Sequence, residues 1–176
     1  MARIVWKENV LVNIQLKDDL FTIGQLLFSP FMRFYKIKNN SGIWKNTDLN
    51  KVESLFCVTV GNVVLRNLVR EKITDKTVIP SNEPFEKYWI NVHLNYDGGF
   101  PFKGGKLIEM GPDVESTTAP VIIENLDINH DRKIIEQYEL INMWGDTDLS
   151  ERLIHFFETG IDRNPLKEKV FPGLNA

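Results

Sequence analysis

Apolar and polar residues alternate near the start of the chain. Val10, Val12, Ile14 and Leu16 fall on one side of a period-two pattern and Leu11, Asn13 and Gln15 on the other, which predicts a strand with one buried face. Lys17-Asp18-Asp19 reads as a charged turn and residues 20–28 as a second strand. Gly24 sits inside that strand, where a missing side chain marks a bulge or a close backbone approach. Ser29-Pro30 ends it, because proline cannot donate to a central ladder. Residues 31–37 supply a third, aromatic-rich strand. Residues 6–37 are thus an antiparallel β meander, of a kind that can close into a small SH3-like barrel.

Further along, Thr47 is placed to cap a short helix, with Leu49, Val52, Leu55 and Phe56 at helical spacing. Residues 57–60 return to a strand pattern, whereas residues 63–73 suit a helix or a strand. Residues 88–94, YWINVHL, alternate as a strand, and residues 119–124 form another. Between them, residues 96–112, YDGGFPFKGGKLIEMGP, are rich in glycine and predict a loop or wide hairpin. Residues 133–143 mix helix-like and strand-like signals and lean towards a strand over 138–143. The clearest helix spans about residues 148–159. Asp148 and Glu151 resemble a capping box, Leu149, Leu153, Phe156 and Phe157 share one face, and Gly160 is a natural stop. These elements predict an α+β fold: a meander extended by further strands, with two or three helices including one near the C-terminus. At 176 residues the chain is long enough for one full core and is read as a single domain over 1–176.

Hydrophobic residues at 43% and charged residues at 26% place the chain in the globular range and exclude wholesale disorder. No apolar run approaches the length of a membrane span and no signal-peptide pattern is evident at the N-terminus. Cys57 is the only cysteine, which fits a reducing compartment and predicts a cytoplasmic protein. The net charge of −3 hides an asymmetry. Residues 1–96 balance to +4, residues 97–151 carry 4 basic and 12 acidic side chains for −8, and residues 152–176 balance to +1. An acidic segment over 97–151 argues against nucleic acid as its partner, since phosphates need Lys and Arg. It either attracts a basic protein or is a solvated surface.

Chemistry is hard to find. Asp127-Ile128-Asn129-His130-Asp131 begins like a calcium loop, but Arg132 occupies the glycine position and Tyr138 the bidentate glutamate position, so a polar turn is the simpler reading. Gly99 and Gly104 have phosphate-loop spacing, yet Gly105 stands where the lysine belongs. His93, His130 and His155 are isolated, and no pair has metal-ligand spacing. Trp6, Trp44, Trp89 and Trp144 sit among aliphatic residues, as core tryptophans do. Phe100 and Phe102 lie in the glycine-rich segment, where they are either interface anchors or part of a loop folded over the core. The chain is therefore read as no enzyme, with no cofactor and no metal. The candidate partner-facing residues are Asp97, Phe100, Phe102, Glu109, Asp113, Glu115, Asp127 and Asp131.

Lys7 leading into an apolar strand, Ile14-x-Leu16, Phe21-x-x-Gly24-x-Leu26, and Pro30 followed by Phe34-Tyr35 give the N-terminal segment a recognisable form. It resembles the immunity protein 26 family, whose members are found beside polymorphic or contact-dependent toxins in bacteria. Residues 49–60, residues 138–144 and Leu149-x-x-Arg152-Leu153 extend the resemblance more weakly. It implies a bacterial immunity protein that binds a cognate toxin domain, of the nuclease type with a basic cleft, and occludes its active site or substrate path. Contact with membrane or nucleic acid is not implied. The competing reading is an SH3-like-barrel binding module for nucleic acid or peptide, towards which Arg66, Arg70 and Lys72 point.

Overall fold

The computed structural model describes residues 4–174 and is an α+β protein with two compact units. The first takes residues up to Pro84 and returns for Asn142–Arg163; the second takes Phe85–Ile141 and the residues from Asn164 onward. In chain order the first contributes β1 (Leu11–Lys17), β2 (Leu20–Leu26), β3 (Phe31–Tyr35), β4 (Thr47–Asp48), β5 (Ser54–Val60), α1 (Asn62–Asn67), β6 (Val69–Lys72) and β7 (Val78–Ile79). The second contributes β8 (Tyr88–Leu94), β9 (Phe102–Glu109), β10 (Val121–Ile123) and α2 (Arg132–Gln137). The chain then forms β11 (Met143–Trp144) and α3 (Asp146–Thr159) in the first unit and α4 (Pro165–Val170) in the second.

In the first unit the expected meander forms the centre of a sheet ordered β11-β5-β3-β2-β1-β6. It is curled but open, with β6 and β11 as its edges. Both faces of β1 are covered, which corrects the single buried face expected from its alternation. Val12 and Ile14 pack with Met32, Phe34, Val58, Trp144, Leu149 and Leu153. On the other face, Leu11, Ile23 and Tyr35 pack with Trp44, Leu49 and Val78. The polar residues of that second face are held by the segments lying over it. Asn13 Oδ1 accepts from Trp44 Nε1 at 3.0 Å, and Gln25 exchanges bonds with the Ser81 backbone at 2.9 and 3.0 Å. Arg33, wholly buried, donates to the carbonyls of Glu83 and Pro84 at 2.7 and 2.6 Å. A buried cation is tolerable when its donors are matched in this way. Gly24 shows the expected close approach, since a Cβ there would lie 2.7 Å from Met32 Sδ.

Local details differ from the sequence reading. Asp48, not Thr47, caps a 3₁₀ turn of only three residues, Leu49–Lys51, accepting from Asn50 N at 3.1 Å, and Leu55 and Phe56, expected on that helix, belong to the strand β5. Residues 63–73 are both alternatives in succession, α1 and then β6. The long helix starts at Asp146 after Gly145, so Asp148 lies in its first turn instead of capping it. Gly160 ends it at φ 76°. Arg152, buried on that helix, grips Asp162 with two bonds of 2.7 Å and lies 3.8 Å from the Phe56 ring centroid.

The second unit is built on an antiparallel sheet ordered β10-β9-β8. Its core joins Ile90, Leu107, Leu126, Ile135 and Leu140 to Val170, Phe171 and Leu174. Residues 132–137 are helical and bury Ile135 in this core. Residues 139–141 run beside β8 without forming a full strand, with bonds of 2.9 Å from Ile90 N to Glu139 O and from Ile141 N to Ile90 O.

Candidate functional site

All eight candidate residues belong to the second unit. The glycine-rich segment that holds several of them is more ordered than its composition suggested, because Phe102–Glu109 is a strand and the loop shrinks to residues 95–101. Gly105 explains how this is possible. A Cβ there would meet the Asn91 carbonyl oxygen at 2.8 Å and Val92 Cα at 3.3 Å, so only glycine lets β9 run this close to β8. Gly105, which departs from the phosphate-loop pattern at the lysine position, is thus a requirement of strand packing.

The loop is tied from within. Asn95 N donates to Pro101 O at 2.7 Å, Asn95 Nδ2 reaches the carbonyls of Gly98 and Phe100 at 3.1 and 2.9 Å, and Asn95 Oδ1 accepts from Asp97 N at 3.1 Å. Gly98 and Gly99 take φ of 86° and 82° to close the turn. Asp97 is exposed, whereas Phe100 and Phe102 are half-buried against the unit's core. Their rings meet edge-on at 5.9 Å, and Lys169 Nζ lies 5.7 Å from the Phe100 centroid.

The other candidates lie elsewhere on the unit. Phe102 and Glu109 are at opposite ends of β9, about 23 Å apart at strand rise. Glu109 pairs with Lys87 at 3.2 Å, which holds the lysine's pKa above its usual value and offsets the carboxylate's charge. Asp113 and Glu115 are exposed between β9 and β10. Asp127 and Asp131 come together in a polar turn: Asp127 N donates to Asp131 Oδ2 at 2.9 Å, and Asp127 Oδ1 accepts from Asn129 N at 2.7 Å. That backbone bond is the main reason the Asp127 carboxyl is held below its usual range. The would-be calcium loop therefore uses its carboxylates on its own backbone.

Among the described residues, no group of three or more His, Cys, Asp or Glu side chains is placed to hold a metal ion. No helix among them is long and apolar enough to cross a membrane. The acidic segment is divided by the fold, since Asp146, Asp148 and Glu151 lie on α3 in the first unit. The second unit keeps 7 basic and 11 acidic side chains, a balance of −4.

A family model described as a domain of unknown function, DUF8309, matches residues 1–176. The chain belongs to that family. No curated protein and no solved structure matches it. For this DUF8309 member, the site must be argued from its own geometry, and there the sequence reading passed over one residue. Tyr96, in the tied loop, is 87% exposed, and Leu94 beside it is 60% exposed. The signal was present in the alternation of β8: Ile90, Val92, Leu94 and Tyr96 continue one apolar series past the point where the core ends.

Proposed function

We propose that the chain is a toxin-neutralising protein of the immunity type, which binds a cognate bacterial toxin domain with a basic substrate cleft through its Phe85–Ile141 unit. The observation that carries this reading is the set of exposed acidic side chains on loops already ordered by their own hydrogen bonds. Asp97, Asp113, Glu115 and Asp127 all reach solvent. Such a surface attracts a cationic cleft at long range and discriminates among partners by charge complementarity. The task needs shape and charge in place of a reacting group. The resemblance of the N-terminal meander to the immunity protein 26 family points the same way, as does an expected setting in the cytoplasm.

The test is co-purification with the toxin domain encoded by the neighbouring gene, followed by titration calorimetry at two salt concentrations. A complex whose affinity falls with added salt is expected. No complex at micromolar concentrations in low salt would sink the reading. A nucleic-acid-binding module is the second reading, favoured by exposed Arg66, Arg70 and Lys72 at and beside the edge strand β6. Arg70 already uses its Nε on Gln15. A salt-sensitive gel shift with RNA or DNA would promote this alternative.

A further inference from the structure

An aromatic side chain held almost wholly in water on a well-ordered loop calls for a reason. Tyr96 is such a residue, and nothing in the folding of its unit requires it: the hairpin is closed by Asn95, turned by Gly98 and Gly99, and rooted in the core by Phe100 and Phe102. The four bonds made by Asn95 fix the loop before any partner arrives, which lowers the ordering cost of binding. Tyrosine is also among the residue types enriched as interface anchors, because it brings a large rigid ring and a polar tip.

We infer that the loop of residues 95–101 is the element that enters the partner, with Tyr96 as its anchor, Leu94 as an apolar shoulder and Asp97 facing the cationic rim of the cleft. The inference rests on the toxin-neutralising reading above and identifies the part of the surface that makes the contact. The occupant is a protein cleft with an apolar floor and basic walls. The unit's balance of −4 and the exposed Asp97 favour basic walls. His93 Nε2, 3.1 Å from Glu124 O, brings a further exposed acidic residue beside the outer half of β8. Lys103 and Lys169 moderate the charge near the tip, which places more of the affinity on the ring than on the carboxylates.

The experiment is calorimetric titration of the neighbouring-gene toxin domain into wild type, Tyr96→Ala and Ile43→Ala. Ile43 is 67% exposed in the first unit and serves as the control for loss of an exposed apolar side chain. Tyr96→Ala is expected to melt with wild type and to bind about thirtyfold more weakly or worse, with Ile43→Ala within about twofold. Wild-type binding with Tyr96→Ala also within about twofold overturns the loop assignment and leaves the toxin reading standing. Absence of wild-type binding overturns both.

Discussion

On the face of the central sheet covered by Trp44 and Ser81, Asn13, Gln25, Arg33 and Tyr35 are each hydrogen-bonded, and Tyr35 shows the consequence for pH. Its hydroxyl donates to Gln25 Oε1 at 2.5 Å in a wholly buried setting, and burial is the main cause that pushes its pKa from 10.0 to about 12. A pKa raised in the folded state means that the unfolded phenol ionises first. The stabilising contribution is complete below pH 10 and is lost as pH rises from 10 towards 12, to the extent of about 2–3 kcal/mol. Denaturant midpoints measured across that range should fall more steeply for wild type than for Tyr35→Phe. At neutral pH the variant should lose only about 1 kcal/mol, because Gln25 Oε1 still accepts from Ser81 N at 3.0 Å. None of this was visible in the alternation of apolar residues. Gln25, Arg33 and Tyr35 look like solvent-facing positions until the segments around Trp44 and Ser81 are laid over them.

Among the elements, the β8–β9 pair depends most on a single residue. The Cβ that Gly105→Ala would add meets backbone atoms of β8, which cannot rotate away, so the strands must separate. A loss of about 1–3 kcal/mol or more is expected, measured as a lowered denaturant midpoint. Gly24→Ala should cost less, since its nearest obstacle is the flexible thioether of Met32. Element existence was legible from periodicity of about seven residues in β1, β2, β8 and α3, whereas in β5, of similar length, Leu55 and Phe56 also fit helical spacing and only residues 57–60 read as strand. It failed where the deciding contact was distant in sequence. Gly105 in β9 reads as loop because the Asn91 carbonyl that needs its space lies on another strand, and α2 packs Ile134 and Ile135 on a core drawn from distant residues. Of the surface proposed to meet the partner, the acidic region was legible in the sequence and the proposed anchor was not. Charge counting found the acidic loops, but the exposure of Tyr96 depends on where the core stops.

Across the whole molecule, each unit depends on a segment that the chain supplies late. The second unit takes Val170, Phe171 and Leu174 into its core. A variant ending at Arg163 removes all three, at about 1.5–3 kcal/mol for each buried side chain. Limited proteolysis should find residues 85–141 of that variant cleaved far faster than in the full chain. The first unit has the same dependence on Leu149 and Leu153 of α3. This interleaving has a consequence for synthesis on the ribosome. The first unit's strands up to β7 emerge first but cannot complete their core until α3 follows, some 65–75 residues later, a wait of about 3–15 s at ordinary elongation rates. During that interval the nascent chain exposes Val12, Ile14, Met32 and Phe34, so chaperone occupancy should peak between the emergence of Pro84 and that of Leu153.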